Sequence, residues 1–225
     1  MMGSPVTEWH WDDEKQHQVT LTKHFFLGKY PVTQKEYIAV MRKNPSHFKG
    51  DYNPVDSVAW YEAKEFCHKL NQLKKNELPE GYQFDLPTEA QWEYACRAGT
   101  TTDFNNGLNL TDTENCQNAD AIAWMKGNTC RTQPVGQKTM NNWGLYDMSG
   151  NIFEWCRDRY DKYPNKAETD PVRSALTFSV GQFRVIRGGS WFTRAVDCRS
   201  AFRCNANQDG LSYEIGFRLA LVPIE

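Results

Sequence analysis

Long apolar runs are absent from this sequence. No stretch approaches the roughly 20 apolar residues that a membrane-spanning helix requires, so we predict no membrane span. The segment from Met1 to Pro5 also lacks the apolar core of a signal peptide. The sequence leaves the compartment open: we expect the cell surface if a leader preceded these residues, and the cytoplasm otherwise.

An excess of positive charge is missing as well. The chain has 26 Lys and Arg against 28 Asp and Glu, for a formal net charge of -2, and its basic residues are scattered. Proteins that bind nucleic acids neutralise phosphates with a basic face or stripe. We therefore predict that nucleic acid is not a partner.

The cysteines show no sign of a paired framework. There are seven, an odd number with no CxxC spacing, which argues against a zinc ribbon and against a fully paired set of disulfides. At least one thiol must therefore be free or pair between chains. Cys67 and Cys96 stand among apolar residues in helical patterns, so we predict that both are buried. A disulfide between Cys116 and Cys130 would close a loop and is an alternative for that pair.

Apolar and aromatic residues are abundant enough for a substantial core. They make up 40% and 13% of the 225 residues, respectively. One large irregular domain fits this length as well as two small ones do. We favour a single domain over residues 1–225.

Capping signals predict two of the helices. Thr33 followed by Glu36 forms a capping box that opens a short helix ending near Met41, and Thr88 followed by Gln91 opens another. Gly99 ends this second capped helix. Its Trp92 is predicted to be buried. Between the two, a further helix begins near Trp60, and its buried face is formed by Ala59, Ala63, Phe66, Cys67 and Leu70.

Alternating and apolar runs predict strands. Residues 18–22 and 25–30 are predicted to form a hairpin. Residues 184–191 and 216–221 are predicted to contain two paired strands that hold the long segment between them, with Trp191 and Phe217 as buried anchors. Residues 100–133 have no periodicity, which indicates a long loop layer held by Trp124. Together these elements predict an α+β fold with much coil.

Five motifs, in order along the chain, resemble the signatures of the formylglycine-generating-enzyme, or sulfatase-modifying-factor, family. This resemblance implies a variant of the C-type lectin fold with a small twisted antiparallel sheet and two or three helices. It also implies one of several functions, because the family includes cysteine oxidases, sulfoxide-forming iron enzymes and proteins without chemistry. The motifs are GKYPVT at 28–33, LPTEAQWEYA at 86–95, WGLYDMSGN at 143–151, RGGSW at 187–191 and GFR at 216–218.

The oxidase branch binds copper through two cysteines that follow the Gly-Gly-Ser-aromatic turn. The first position is Thr193 in this chain, and the second is Cys198. One thiolate is too few for Cu(I), which prefers at least two soft ligands, and Cys204 lies six residues further on. We therefore expect no copper. The iron branch is not expected either, because no His follows His68.

The resemblance also implies a structural calcium ion. The family pattern assigns it to the side chains of Asp147 and Glu154 and to the carbonyls of Gly150 and Ile152. Hard oxygen donors on one turn suit calcium. The alternative is that the two carboxylates only cap and solvate the turn.

Some family members are variable proteins of diversity-generating retroelements. There the rewriting of adenines in Asn codons yields a restricted set of residue types. Most of residues 192–214 belong to this set, whereas Gln208 and Glu214 do not. Exposed Phe, Tyr and Arg are also typical of binding hot spots. The candidate ligand-binding residues are Phe192, Thr193, Arg194, Val196, Asp197, Phe202, Asn205, Asn207, Asp209, Leu211 and Tyr213, with Cys204 and Gly210 also in the reachable set.

These observations favour a non-catalytic recognition protein that displays a variable surface over residues 192–215. Its partner would be a protein or another macromolecule. We expect Phe192, Arg194, Phe202 and Tyr213 to face solvent. The alternative is a formylglycine-generating-type cysteine oxidase acting on a protein substrate, and an ordinary family member whose loop drifted without selection also stays open.

Overall fold

A computed structural model describes residues 1–5, 11–173 and 182–224. The described chain is α+β, as predicted. Its helices are α1 (Gln34–Met41), α2 (Trp60–Leu73), α3 (Glu89–Arg97) and the short α4 (Gln117–Asp120), and a 3-10 turn spans Ala195–Cys198. Its strands are β1 (Val19–Thr20), β2 (Phe26–Leu27), β3 (Tyr82–Asp85), β4 (Ala123–Trp124), β5 (Ser149–Gly150), β6 (Phe153–Arg159), β7 (Glu168–Thr169), β8 (Phe183–Arg187), β9 (Arg203–Asn207), β10 (Ile215–Gly216) and β11 (Ala220–Pro223).

Two of the sheets hold the C-terminal part of the chain. The larger has the strand order β10-β6-β8-β9, in which β8 is antiparallel to both β6 and β9. The second has the order β2-β11-β3, with both pairs antiparallel. The short parallel pairs β1-β7 and β4-β5 join distant loops. The C-terminal loops are therefore held by strands whose partners are distant in the sequence.

The main core lies between α1, α2 and the two larger sheets. Tyr37 of α1 stacks on Phe66 of α2 with ring centroids 5.5 Å apart, and Phe217 meets the Phe66 ring edge-on at 5.3 Å. Trp155 of β6 is fully buried and donates its indole N–H to the Val58 carbonyl at 2.8 Å. Phe217 is thus the buried anchor that the sequence predicts.

The capped helices are confirmed. The Thr33 and Thr88 hydroxyl oxygens accept hydrogen bonds from the backbone N–H groups of Glu36 and Gln91, and both capping boxes close reciprocally. The α3 helix ends at Ala98, which is left-handed with φ 44°, followed by the glycine at position 99 with φ 92°. Since the left-handed region costs glycine little, this is the stop that the sequence indicates.

The prediction for α2 is also confirmed. Ala63, Phe66 and Cys67 form its buried face. Cys96 of α3 is buried as well, so both cysteines predicted to be buried are so. All seven cysteines are free thiols, and the alternative disulfide between Cys116 and Cys130 is not formed.

Two predicted strand pairings are wrong. Residues 18–22 and 25–30 do not form a hairpin, because β1 pairs with β7 whereas β2 pairs with β11. Strands β8 and β11 do not pair either, since β8 lies between β6 and β9 and β11 lies between β2 and β3. An apolar or alternating run specifies a strand but not its partner, which is chosen by packing far along the chain.

The segment between Trp191 and Gly216 is more ordered than its composition suggests. It contains the 3-10 turn and β9, which extends the main sheet beyond β8. The loop layer of residues 100–133 contains α4 and β4, and Trp124 within it is half-buried, with the Lys138 ammonium 4.1 Å from its ring centroid. In the described part of the chain no helix has the length and apolar character needed to cross a membrane.

Candidate functional site

The site is built around the Gly188-Gly189-Ser190-Trp191 turn that follows β8. Both glycines are left-handed, with φ 97° and 77°. A Cβ atom on Gly189 would lie 2.7 Å from the Cys198 sulfur, so a side chain there would collide with the next turn of chain. The Ser190 hydroxyl donates to Glu214 Oε2 at 2.7 Å. This turn and the end of the long segment are therefore fixed to each other.

Buried ion pairs hold the segment from below. Arg203 of β9 forms two hydrogen bonds of 2.8 Å with the Glu89 carboxylate of α3. Arg199 binds the Glu14 carboxylate at 2.8 and 2.9 Å, and Arg187 pairs with Glu93. Removal of one partner of such a buried pair leaves an uncompensated charge, at a cost of about 3–5 kcal/mol. The frame beneath the segment is therefore rigid.

The pKa of Glu89 is lowered in this cluster of buried ion pairs. Burial acts in the opposite direction and would raise it, but the Arg203 and Arg187 guanidiniums favour the charged form and outweigh burial. Burial likewise opposes ionisation of Glu93, whose pKa is lowered by Arg97 and Arg187. Both carboxylates are therefore charged at neutral pH and keep their arginines in place.

An aromatic surface lies above this frame, and we name it the aromatic platform: His47, Phe48, Trp191, Phe192 and Tyr213. Phe48 meets the Trp191 ring edge-on at 5.3 Å, and Tyr213 lies 5.9 Å from Trp191 between ring centroids. Trp191 is 8% exposed, whereas Phe192 and Tyr213 are 54% and 44% exposed. Trp191 is thus the buried anchor, and its two neighbours present their rings to solvent.

Two members of the platform, His47 and Phe48, are not among the predicted site residues. They lie in the loop after α1, which is tied to the C-terminal segment by the hydrogen bond from Ser57 N–H to the Ser212 carbonyl at 3.0 Å. His47 N–H donates to the buried Asp56 carboxylate at 2.6 Å, which fixes the loop. The sequence signal was an aromatic pair within a polar loop, but only the fold brings it to Tyr213.

The predicted ligand-binding residues separate into three groups. Exposed ones are Phe192, Asn207, Asp209, Leu211 and Tyr213, and partly exposed ones are Thr193, Arg194, Asp197, Phe202, Cys204, Asn205 and Gly210. Val196 is fully buried, so its assignment to a ligand-contacting surface is wrong. It lies in the 3-10 turn, which packs inward.

Two of the four side chains expected to face solvent are engaged elsewhere. Phe202 packs against the main core, with its ring 6.5 Å from that of Phe153. Arg194 is partly exposed and pairs with Asp197 at 3.1 Å and Glu114 at 3.5 Å. The solvent-facing aromatic pair is therefore Phe192 and Tyr213.

The resemblance aligns Cys198 with the second cysteine of the oxidase branch, but the environment of its thiol disfavours the thiolate. Cys198 is fully buried, and burial raises the pKa of its thiol to about 12. Its sulfur lies 3.6 Å from the Thr193 hydroxyl. The Cys204 thiol donates to the Asn205 carbonyl at 3.8 Å. At neutral pH the site thus holds a protonated thiol beside a hydroxyl.

The predicted calcium ligands lie in one short stretch of chain around β5 and the start of β6: Asp147 precedes β5, Gly150 ends it, and Glu154 belongs to β6. Asp147 Oδ2 accepts from Gly136 N–H at 2.7 Å, and its Oδ1 accepts from the Asn151 amide at 3.3 Å. Burial raises the pKa of Asp147. Gly150 and Ile152, whose carbonyls are the predicted backbone ligands, follow Asp147 by three and five residues.

Glu154, the fourth predicted ligand, is already bound by protein donors. Arg218 donates to its two oxygens at 2.6 and 2.7 Å, and the Trp92 indole donates to Oε2 at 2.6 Å. An ion would therefore have to share this carboxylate with a guanidinium. Within the described ranges no group of three His, Cys, Asp or Glu side chains is arranged to hold a metal ion. Calcium at this turn stays a prediction.

Comparison with known proteins places these features in a family. The sulfatase-modifying factor enzyme 1-like domain matches residues 1–222. The chaperone protein LppX of Paenibacillus barcinonensis is 30% identical over an alignment of 249 positions, gaps included. That alignment covers 89% of this chain and 81% of LppX. The formylglycine-generating enzyme of Mycobacterium tuberculosis is 32% identical over an alignment of 158 positions, gaps included. That alignment covers 62% of this chain and about half (51%) of the enzyme.

A solved structure matches over nearly the whole chain. Variable protein 1 of Treponema denticola superimposes with a TM-score of 0.83. The two are 29% identical, and the match covers 99% of this chain and 91% of that protein. The chain therefore belongs to the sulfatase-modifying factor enzyme 1-like family, whose formylglycine-generating-enzyme type of C-type lectin-like fold it shares.

Proposed function

We propose that this protein is a non-catalytic recognition protein that binds a protein or another macromolecule through the aromatic platform. The observation that carries the proposal is the exposure of Phe192 and Tyr213 on either side of the buried Trp191. Large aromatic side chains with few rotatable bonds dominate binding energy when a partner covers them. Asn207, Asp209 and Leu211 extend the same surface with exposed side chains.

Rigidity of the frame supports a binding role. Arg187, Arg199 and Arg203 fix the segment beneath the platform, so little conformational entropy is lost when a ligand orders it. Function concentrates on loops that a rigid scaffold holds. The platform therefore combines adaptable exposed side chains with a fixed backbone.

The Thr193–Cys198 pair supports the absence of oxidase chemistry. A hydroxyl replaces one of the two thiolates that Cu(I) binding needs, and the remaining thiol is protonated at neutral pH. The catalytic requirement of the oxidase branch is thus unmet at the matching positions.

We further propose that residues 192–215 are diversified by a retroelement. The similarity to the Treponema denticola variable protein supports this, as does the exposure of Asn207, Asp209, Leu211 and Tyr213. Sequencing of the gene neighbourhood tests it directly. A reverse-transcriptase gene with a near-identical template repeat is expected, and a neighbourhood without either would contradict diversification.

A cysteine oxidase is the second candidate. Cys198 occupies the position of the second catalytic cysteine, and a formylglycine-generating enzyme is among the relatives. The decisive assay supplies copper, oxygen and a cysteine-containing peptide to the purified chain and follows aldehyde formation. We expect no product above a no-protein control, whereas turnover would replace the recognition function with the oxidase.

The binding test compares three proteins on one array of proteins and glycans. A double variant, Phe192→Ala with Tyr213→Ala, removes the exposed rings of the platform. Phe26→Ala, which removes a 63% exposed ring on β2, is the matched control. Ligands of the parent should lose at least about tenfold in affinity for the double variant and bind the control equally. Equal binding by all three would exclude the platform as the binding surface.

A further inference from the structure

A second candidate binding site lies between α1 and α2, outside the aromatic platform. This groove has a volume of about 520 Å³. Its lining includes the buried Phe66, the partly buried Val40, Leu70 and Leu219, and the exposed Leu73. Small-molecule sites are typically concave, mostly apolar and about 300–1,000 Å³ in volume, with a few placed polar groups. We refer to this site as the α1–α2 groove.

Two lysines, Lys29 and Lys74, belong to the lining of the groove. The Lys29 ammonium lies 5.5 and 5.4 Å from the ring centroids of Tyr30 and Tyr146, which hold it by cation–π attraction. Lys74 follows the last residue of α2. It pairs with Glu77 at 2.8 Å, but both side chains are largely exposed. Exposed pairs of this kind are weak, so Lys74 is free to turn toward a ligand.

The one carboxylate in the lining is already engaged. Glu36 Oε2 accepts hydrogen bonds from the Thr33 N–H at 2.8 Å and from the Thr33 hydroxyl at 2.7 Å. Its negative charge also faces the positive N-terminal end of α1, where an acidic side chain is stabilised. Among the residues that line the groove, two lysines stand against one carboxylate, so the mostly apolar lining itself carries a net positive charge.

We propose that the α1–α2 groove binds a small amphiphile with one anionic head and an apolar chain, such as a medium-chain fatty carboxylate. The chain would cover Leu70 and Leu73, which removes apolar surface from water. The carboxylate would be held by Lys29 and Lys74 through charge-assisted hydrogen bonds. A neutral or cationic amphiphile would gain the apolar contact but not the charge-assisted hydrogen bonds.

Calorimetric titration of the full chain with decanoate tests the proposal. Saturable binding at one site is expected. The double variant Lys29→Glu with Lys74→Glu should weaken decanoate binding at least tenfold. Lys75→Glu is the matched control, because it reverses an exposed charge next to Lys74 outside the lining, and it should bind like the parent.

A second variant separates the apolar contact from the charges. Ala39→Trp narrows the groove from an exposed position of α1, so it should abolish binding without lowering the melting temperature. Equal affinity for decanoate, decanol and decyltrimethylammonium would overturn the proposal, as would decanoate binding that survives both variants. Binding to phosphatidylglycerol vesicles without binding of free decanoate would assign the groove to a membrane surface instead.

The groove and the platform can be tested independently. Phe192→Ala with Tyr213→Ala leaves every residue of the groove unchanged, so this variant should bind decanoate like the parent. If a variant loses array binding and keeps decanoate binding, the result therefore bears on the platform alone. If it loses decanoate binding and keeps array binding, the result bears on the groove alone.

Discussion

The Thr193 hydroxyl lies 3.6 Å from the Cys198 sulfur, at the two positions where the oxidase branch carries a pair of cysteines. The Gly188-Gly189 turn and the 3-10 turn bring these two side chains together. Gly189 leaves no room for a further side chain beside the sulfur. A single substitution, Thr193→Cys, would therefore place a second sulfur beside that of Cys198.

Thr193→Cys should create a Cu(I) site. Two thiols at this separation supply the soft ligands that one thiol and a hydroxyl cannot. Competition with a Cu(I) chelator should show at least about tenfold tighter binding than the parent, and the difference should grow with pH because each thiol must lose a proton.

A matched variant controls for copper bound elsewhere. Thr193→Ser keeps a hydroxyl at the same place and should bind Cu(I) no better than the parent. If Thr193→Cys also fails to bind, the segment does not retain the oxidase geometry.

The platform and its anchors should respond oppositely to truncation. Phe192→Ala and Tyr213→Ala should each change the free energy of unfolding by about 1 kcal/mol or less, since these rings are largely exposed. Trp191→Ala and Phe217→Ala should each cost about 3–5 kcal/mol, because both rings are buried. Urea denaturation of the four variants checks this order, and a large loss at Tyr213 would move it from the surface to the core.

Trp92 of α3 should be essential for stability. It is fully buried, and its indole N–H donates to Glu154 Oε2 at 2.6 Å. Trp92→Ala should therefore cost at least about 3–5 kcal/mol, since it creates a cavity and removes a partner of a buried carboxylate. Trp143→Ala, at a 49% exposed position, is the control and should cost about 1 kcal/mol or less. Similar melting temperatures for both variants would contradict the packing of α3.

Local signals in the sequence are sufficient to predict α1, α2 and α3, whereas the short α4 lies in a segment predicted to be a loop. A capping box needs only residues three positions apart, as at Thr33 and Thr88, so both helices were predicted with their first residue. Strand partners depend on contacts across the whole chain. This is why β2 and β8 were identified as strands but paired incorrectly.

The candidate site was predicted only in part for the same reason. The motifs located the turn at Trp191, but the platform also needs His47 and Phe48, which approach Tyr213 only in the folded chain. Val196 was included because its residue type is reachable by codon rewriting, a criterion that carries no information on burial. The packing of the partly buried Phe202 against the core is not predicted, because β9, which begins at the next residue, is not recognised in the sequence.

Calcium at the Asp147 turn is tested by chelation. If an ion is held by Asp147, Gly150, Ile152 and Glu154, a chelator should lower the melting temperature of the parent, and calcium should restore it. The double variant Asp147→Asn with Glu154→Gln should not respond. A parent that is indifferent to the chelator would assign Glu154 to its ion pair with Arg218 alone.

The final prediction concerns Asp158 of β6, whose carboxylate is buried. Its oxygens accept from the backbone N–H groups of Glu89 at 2.8 Å and Arg173 at 2.9 Å. Burial, with the nearby Glu89 charge as a smaller cause, raises its pKa from 3.8 to about 6. The folded state therefore binds a proton between about pH 4 and 6 that the unfolded state has already released.

The sign of the pH dependence follows from that difference. The contribution of Asp158 to stability is largest below about pH 4, falls as the pH rises to about 6 and is constant above it. Asp158→Asn does not titrate, so the stability of the parent relative to this variant should fall by on the order of 2–3 kcal/mol across that range. Asp209→Asn, at an exposed position, is the matched control and should follow the parent. Urea denaturation at pH 4, 5, 6 and 7 measures the difference. A constant difference between parent and Asp158→Asn would show that Asp158 does not hold a proton in the folded state at mildly acidic pH.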